Sequence, residues 1–380
     1  MALLSIGGGR GASDDPRANL MRLTRQKKTG TVVGLDIEGG SIAATEVRGN
    51  GSAEVTASAI APLAPGAFHE GEVLDADRLA GALKSLFTEN KLAKQVRLGV
   101  GNQRVVVRMM RLPAIEDPKE MEAAVRFQAQ EQMPMPLDQA VLEHQVVGGV
   151  PAEEGSTPQL DVVVVAARRD MVSSFIGPLR RAGLEPVGVD LSAFGMIRAL
   201  AGTGAVVGAD GDTEPQPGAT VLYCNVGDVT NLAVARGRAC LFTRVSHVGL
   251  EAISARLGGA RALDTEAAAQ WLEHVGLERP PEEIEGDPEM VAESRRALEE
   301  GVSALMDELR LSLDYYGAQE GAVPVERIVL CGPGSAIAGM AVRMEGLGLP
   351  IAVARPTALA GLDDASAARL TLPYGLALES

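Results

Sequence analysis

The chain has 380 residues, 46% of them hydrophobic and 22% charged, which suits a globular protein of about two to four compact units. Fifty acidic residues against thirty-five basic ones give a net charge of −15, which argues against sequence-independent nucleic-acid binding by the whole chain. Aromatic residues make up only 3%, so aliphatic side chains must fill the cores, and three cysteines cannot form a disulfide framework.

The first thirty residues are predicted to form a flexible leader. It carries the six basic residues Arg10, Arg17, Arg22, Arg25, Lys27 and Lys28 against Asp14 and Asp15. A disordered tail and a segment attracted to an anionic membrane or an acidic partner are the two interpretations. The leader has no apolar core like that of a secretory signal, and the longest aliphatic run, 162–167, is too short to cross a bilayer. We therefore expect a cytoplasmic protein.

The first ordered region, residues 31–111 together with 190–201, is predicted to be a subdomain that opens with three strands. Its predicted elements are strands at 32–37, 42–47, 53–60, 96–100 and 105–110 and a helix at 76–90. The turn Gly39-Gly40 joins the first two strands as a tight hairpin.

A small α+β unit is predicted as an insertion over 112–189. Its first helix has the cap Asp117 and the first-turn proline Pro118, and ends near Gln132. The later elements are strands at 141–147, 160–167 and 185–189 and a helix at 171–182.

The opening pattern returns after a linker at 202–218, with strands predicted at 220–225, 231–235 and 239–245. A shift of 189 residues aligns the two copies at three pairs: Asp36 with Asn225, Glu38 with Gly227, and Ser41 with Thr230. A duplicated α/β unit with a cleft between its halves is the expected product.

The remainder divides into an acidic helical subdomain, 250–324, and a closing α/β region. Between Asp264 and Glu320 there are sixteen acidic and four basic residues. The predicted elements are a helix at about 290–316, a strand at 327–331, a helix from near Ala338, a strand at 351–354 and a short helix from Tyr374. Residues 219–249 and 325–380 are assigned to one subdomain, with a return of the chain end to the first subdomain as the alternative.

Both hairpins have the features of a phosphate-binding turn. Backbone N–H groups in a tight turn converge on an anion, small residues allow close approach, and a carboxylate or hydroxyl can contact phosphate or magnesium. The candidates are Asp36, Gly39, Gly40 and Ser41 in the first hairpin and Asn225, Gly227 and Thr230 in the second. Ordinary hairpins without a ligand are the alternative.

Two later features are candidates for contacts with the rest of a nucleotide. They are the strand-to-helix turn of Gly332, Gly334 and Ser335, and the helix face of Asp307, Arg310 and Asp314. A plain turn and a solvated helix face are the alternatives. The four histidines have no metal-binding spacing, and no P-loop is present.

Several stretches together carry a family resemblance. They are 34–37 with 39–41, 225–227 with Thr230, 329–335 with 339–340, 112–113 with 122–128 and 133–137, and the helix 308–316. Their order resembles the actin-like ATPase superfamily and, within it, the PilM proteins of type IV pilus assembly, which are close to the division protein FtsA. The resemblance implies an α/β fold of duplicated ribonuclease-H-like (actin-like) subdomains around a central nucleotide cleft, with 112–189 as an inserted SHS2-like subdomain.

The resemblance also implies ligands and partners. ATP phosphates would lie between the hairpins, Mg²⁺ near Asp36, and the adenosine between the 307–314 helix and the Gly332 turn. The implied partner is the cytosolic N-terminal tail of PilN, an inner-membrane protein that links the chain to the membrane, with pilus motor ATPases as further partners. Met133 and Met135 are candidates for the peptide groove, with core packing as the alternative.

Three departures from the family pattern weaken the nucleotide site. Glu38 stands where the family has glycine, and its carboxylate would crowd and repel a polyphosphate. Asn225 replaces an aspartate and loses the charge that holds magnesium or polarises water. Leu311 replaces a basic residue. We therefore expect at most a weak ATPase that serves mainly as a scaffold.

Two other functions are compatible with the same fold. A small-molecule kinase needs a carboxylate base in the cleft, for which the sequence offers no convincing candidate. An FtsA-like division or filament protein normally ends in an amphipathic membrane-binding helix, whereas this sequence ends with residues 374–380. An adaptor of pilus assembly is therefore the leading expectation.

Overall fold

The computed structural model describes residues 30–49, 53–150, 157–201, 218–319 and 321–378, with the short strands Leu4–Ser5 and Ala205–Val207. The strands are β1 (Leu4–Ser5), β2 (Thr31–Ile37), β3 (Ser41–Gly49), β4 (Ala53–Pro62), β5 (Phe68–His69), β6 (Glu72–Val73), β7 (Gln95–Val100), β8 (Val105–Pro113), β9 (Ala140–Val150), β10 (Gln159–Arg168), β11 (Glu185–Leu191), β12 (Ala205–Val207), β13 (Thr220–Val226), β14 (Thr230–Arg236), β15 (Ala239–Ser246), β16 (Arg327–Cys331) and β17 (Ile351–Pro356). The helices are α1 (Ala76–Glu89), α2 (Pro118–Gln132), α3 (Arg169–Arg181), α4 (Ser192–Leu200), α5 (Leu250–Arg261), α6 (Thr265–Val275), α7 (Pro288–Gly317), α8 (Met340–Met344) and α9 (Asp364–Ala377).

Two six-stranded sheets with equivalent strand order form the halves of the molecule. The first has the order β1-β11-β7-β2-β3-β4 and the second the order β12-β17-β16-β13-β14-β15. In each sheet, three antiparallel strands are followed by two parallel strands, and a short antiparallel strand closes the edge. The duplicated α/β fold predicted from the sequence is confirmed.

The inserted unit is a three-stranded antiparallel sheet, β8-β10-β9, with α2 packed on one face. As predicted, the Asp117 side chain caps this helix by accepting hydrogen bonds from the N–H groups of Lys119 and Glu120. The predicted boundaries 112–189 need correction, because β8 pairs with β10 from Val105 onwards while β11 pairs with β7 of the first sheet. The sheet of the insertion therefore extends over 105–168.

The predicted flexible leader and linker lie mostly outside the described residues. In the leader, Leu4–Ser5 pairs with the edge strand β11, and in the linker Ala205–Val207 pairs with β17. The three cysteines are buried and free, as predicted. No described helix is both long enough and apolar enough to span a membrane.

The end of the chain returns to the first half as α9, which packs against α4, β2 and β3. The sequence predicted only a short helix from Tyr374, but α9 already begins at Asp364. Pro373 and Gly375 disfavour a helix locally, and burial against the first sheet overrides that tendency. A Cβ added to Gly34 of β2 would lie 1.9 Å from the carbonyl oxygen of Pro373, so only glycine allows α9 to approach this closely.

Candidate functional site

The β2–β3 and β13–β14 hairpins face each other across the cleft, as the sequence predicted. The N–H of Gly40 donates to Oδ2 of Asp228 at 3.2 Å, and the N–H of Asp228 donates to Oε1 of Glu38 at 3.3 Å. A Cβ added to Gly227 would lie 2.0 Å from Oε1 of Glu38, and one added to Gly39 would lie 3.3 Å from Oδ2 of Asp228. The two turns therefore touch directly, and each binds a carboxylate of the other through its backbone.

Arg369 of α9 fills the space beside the first hairpin. Its Nη1 donates to Oδ2 of Asp36 at 2.5 Å, its Nε donates to Oγ of Ser41 at 2.9 Å, and its Nη2 donates to the carbonyl oxygen of Ser41 at 3.1 Å. Nε also lies 3.4 Å from Oε2 of Glu38. The side chains of Arg369, Asp36 and Glu38 are 8%, 7% and 11% exposed, so the ion cluster is almost completely removed from water.

The packing of α4 against α9 fixes the position of Arg369. A Cβ on Gly375 of α9 would lie 1.8 Å from the carbonyl oxygen of Gly195 on α4, so the two helices meet backbone to backbone. A buried pair supports this contact: Nη2 of Arg198 donates to Oδ2 of Asp190 at 2.5 Å, and Nε of Arg198 donates to the carbonyl oxygen of Gly375 at 3.0 Å. The site therefore depends on close packing between elements that are distant in sequence.

The single guanidinium of Arg369 is buried together with several carboxyl groups, and the pKa values of two of these carboxyl groups are raised. Burial raises the pKa of Glu38 from 4.5 to about 8; Arg369 opposes this shift, whereas the Asp228 and Asp36 carboxylates add to it. Burial also raises the pKa of Asp228, with a further contribution from Glu251. The environment of these carboxylates therefore disfavours additional negative charge.

A second contact crosses the cleft from β5 to α5. Nδ1 of His69 lies 2.7 Å from Oε1 of Glu251, and the N–H of Glu70 donates to Oε2 of the same carboxylate at 3.3 Å. The hydrogen bond to Glu251 raises the pKa of His69 above 6.5, while burial opposes this shift. Protonated His69 therefore strengthens the bridge between the halves.

We expect the His69–Glu251 bridge to weaken as the pH rises. A histidine whose folded-state pKa is raised contributes its full stabilisation below pH 6.5, the unfolded value, and loses it as the pH passes through the raised value. The pair is partly exposed, so protection of the β5–β6 amides should fall by less than about fivefold between pH 6 and 8.5. Hydrogen-exchange protection factors measure this change. The control His69→Gln should show a smaller pH dependence, and identical pH profiles for both proteins would contradict the expectation.

The remaining candidate residues of the second hairpin and the Gly332 turn make internal contacts. The side chain of Asn225 faces the Gly332 turn, since a Cβ added to Gly332 would lie 2.5 Å from Oδ1 of Asn225. Gly334 packs equally closely against Val226, and Oγ of Ser335 donates to the carbonyl oxygen of Gly332 at 2.7 Å. Oγ1 of Thr230 donates to the carbonyl oxygen of Val248, just after β15, at 2.6 Å. Both hydroxyl groups therefore already donate within the protein.

The predicted adenosine-side face of α7 is exposed. Nη1 of Arg310 donates to Oδ1 of Asp307 at 2.9 Å, so these residues share one face as predicted, and Asp314 is also exposed. None of the three lines the interdomain cavity of about 520 Å³ between β8, β15 and α7. The residue of α7 that lines this cavity is Glu308, which forms an ion pair with Arg244 at 2.6 Å.

The space between the hairpins does not fit a magnesium–nucleotide complex. Its volume is about 20 Å³, close to that of a single water molecule. Asp36, the predicted magnesium ligand, already pairs with Arg369, and no group of three or more His, Cys, Asp or Glu residues in the described part of the chain is arranged to hold a metal ion. Mg²⁺ near Asp36 stays a prediction that this structure does not favour, because a buried arginine neutralises the carboxylate.

The two methionines proposed for partner binding lie in the inserted unit. Met133 is only 7% exposed and belongs to the core between α2 and the small sheet, and Met135 is partly buried against that core. Met133 therefore packs in the core, which was the alternative interpretation of this residue. A groove on the other side of this sheet, about 270 Å³ in volume, lies between β9, β10, α4 and the β14–β15 turn.

The family model for type IV pilus assembly protein PilM matches residues 34–378, which include both halves, the insertion and α9. The chain belongs to the PilM family. A solved structure described as the PilM–PilN type IV pilus biogenesis complex matches 91% of this chain and 97% of that chain, with 26% identity and a TM-score of 0.72. The PilM fold therefore covers nearly the whole chain.

More distant structures have the same actin-like fold. The ethanolamine utilization protein EutJ from Carboxydothermus hydrogenoformans matches with 14% identity and a TM-score of 0.52, covering 92% of this chain and 89% of that one. MreB5 of Spiroplasma citri bound to AMPPNP matches with 12% identity and a TM-score of 0.50, covering 91% and 94%. At these identities the likeness shows the fold alone.

Sequence reasoning missed four residues of the cleft between the two halves: His69, Asp228, Glu251 and Arg369. Asp228 directly follows Gly227 in the second turn, so its position was a usable signal. His69 and Arg369 gave no local signal, because their partners lie 182 and 333 residues away along the chain.

Proposed function

We propose that this PilM-family chain is a cytoplasmic adaptor of the type IV pilus inner-membrane platform that binds the cytosolic N-terminal tail of a PilN-like protein. The observation that carries the proposal is the 26% identity to the PilM–PilN complex over 91% of this chain. The chain would reach the inner face of the membrane through that partner. We further propose that it binds nucleotide weakly and hydrolyses ATP poorly.

The filled space between the hairpins favours an adaptor over an enzyme. Phosphoryl transfer requires room for the phosphates and a metal ion next to a positioned base. In this chain the corresponding space holds Glu38, whose carboxyl group accepts from the N–H of Asp228 and also contacts Arg369. The kinase alternative and the filament alternative gain no specific support from this arrangement.

We place the tail in the groove between the inserted sheet and α4. Val146, Phe194 and Ile197 contribute apolar surface to it, and Val146 is 45% exposed. β9 is one of the two edge strands of the three-stranded sheet, so we expect an extended peptide to pair along its outer side. Apolar pockets beside an open strand edge suit a short peptide with alternating apolar side chains.

A charge in this groove should abolish most of the tail affinity. We expect Val146→Asp to weaken binding of a synthetic PilN-like tail peptide by about tenfold or more, because the carboxylate would have to be buried against apolar groups. Isothermal titration calorimetry measures the change. The matched control is Val342→Asp, at a valine of α8 that is 67% exposed outside the groove, and it should bind like the unmodified chain. No binding to the unmodified chain would refute the adaptor proposal, and equal binding by both variants would refute the groove.

A further inference from the structure

We propose that Glu38, Asp228 and Arg369 form an internal latch that replaces the magnesium–nucleotide complex and holds the two halves of the cleft closed. The contacts that define the latch join the first hairpin to the second and to α9. This inference is independent of where the partner tail binds.

The guanidinium of Arg369 supplies positive charge at the first hairpin. It contacts the carboxylates of Asp36 and Glu38 and both the side chain and the backbone of Ser41. These are the groups that a phosphate-binding hairpin would offer to a metal ion and a phosphate. A planar guanidinium with several fixed donors can satisfy them at once, without metal coordination.

The carboxyl groups of Glu38 and Asp228 supply the acceptor oxygens. Backbone N–H groups in tight turns bind anions, and each hairpin here binds the carboxylate of the other hairpin. Asp228 offers its N–H to Glu38, while Asp228 Oδ2 accepts from Gly40. The exchange is reciprocal, as it would be if one polyphosphate were held by both turns.

The sequence around the latch is adapted to it. Gly227 leaves room for the Glu38 carboxylate, since a Cβ there would lie 2.0 Å from Oε1. Gly39 leaves room for Glu251, since its Cβ would lie 2.8 Å from Oε1 of that residue. The glycines thus accommodate carboxylates of the chain itself.

The latch makes closure independent of nucleotide. A polyphosphate would have to displace two carboxylates and enter a site that Glu251 and Asp36 also line. The like charges oppose this entry. We therefore infer that the chain stays in its closed form whether or not Mg²⁺ and ATP are present.

Distance measurements across the cleft test the latch. Spin labels on cysteines introduced at the exposed residues Lys84 of α1 and Glu266 of α6 report the separation of the halves, and the three native cysteines are buried. We expect one narrow distance distribution for the full chain, unchanged by saturating Mg²⁺ with AMPPNP. Glu38→Ala and Arg369→Met, made separately, should each give a broader and longer distribution without nucleotide.

Two results would overturn the latch. One is a shift of the unmodified chain to shorter distances when Mg²⁺ and AMPPNP are added. The other is a wild-type distribution in Glu38→Ala, which removes a carboxylate without leaving Arg369 unpaired and therefore should fold even if Arg369→Met does not. If the unmodified chain fails to bind the tail peptide but gives the expected distances between the spin labels, only the adaptor proposal is contradicted.

Discussion

Arg369→Met is expected to lower the free energy of unfolding by about 3–5 kcal/mol, because it leaves buried carboxylates without their counter-charge. The side chains of Asp36 and Glu38 are 7% and 11% exposed, so water cannot replace the guanidinium. Methionine is long, flexible and compatible with a helix, so most of the loss reports charge rather than a cavity. Urea unfolding followed by circular dichroism measures the difference.

The matched control for this variant is Arg256→Met. Arg256 pairs with Glu300 on the surface, where the two side chains are 57% and 47% exposed, so its loss should cost less than about 1 kcal/mol. Combining Arg369→Met with Asp36→Asn should recover part of the loss, since the carboxylate that Nη1 of Arg369 contacts is then removed. Equal losses for Arg369→Met and Arg256→Met would mean that the buried cluster contributes no more than a surface pair.

Gly34→Ala is expected to lower the free energy of unfolding by about 2–3 kcal/mol. The added methyl group would lie 1.9 Å from the carbonyl oxygen of Pro373 and 2.6 Å from the backbone nitrogen of Ala377. Both are backbone atoms of α9, so the helix must move as a body. Because α9 carries Arg369, we also expect lower hydrogen-exchange protection in the β2–β3 hairpin.

Gly81→Ala is the control for this substitution. Gly81 lies on the exposed side of α1, and a Cβ there would have no neighbour within 4 Å. Alanine is the better helix former, so this variant should gain about 0.5–1 kcal/mol. A similar small effect for both variants would show that α9 tolerates displacement and does not depend on close approach at Gly34.

α4 links the latch to the proposed peptide groove. Ser192, its first residue, lines the small space between the hairpins, whereas Phe194 and Ile197 line the groove beside the inserted sheet. The same helix is fixed by the buried Asp190–Arg198 pair and by its contact with α9. A latch that keeps the halves closed therefore also keeps this wall of the groove in one position, which suits a scaffold that binds its partner constitutively.

Local sequence patterns were sufficient for most of the fold. The Gly39-Gly40 turn, the alternation of short apolar strands and the 189-residue repeat predicted both sheets, because turn chemistry and strand periodicity depend on neighbouring residues. The Asp117 cap and Pro118 defined the start of α2 for the same reason. The family resemblance was equally readable, since its motifs are short and ordered along the chain.

The boundaries and the contents of the cleft could not be read in this way. Residues 185–189 were grouped with the insertion because they follow it in sequence, whereas strand pairing places them beside β7. The start of α9 was missed because Pro373 and Gly375 break helices in isolation, and only burial outweighs that local cost. Met133 gave the same pattern as a surface methionine, and its burial depends on the sheet beneath α2.

The sequence by itself determined a duplicated PilM-type chain and predicted that Glu38 would hinder phosphate binding. Only the tertiary structure decided what that glutamate does instead: it binds the opposite turn and shares a buried guanidinium with Asp36. Arg369 lies 333 residues from Asp36 along the chain. Charges pair through space and gain most of their strength from burial, and neither the distance nor the burial is written in a local pattern of residues.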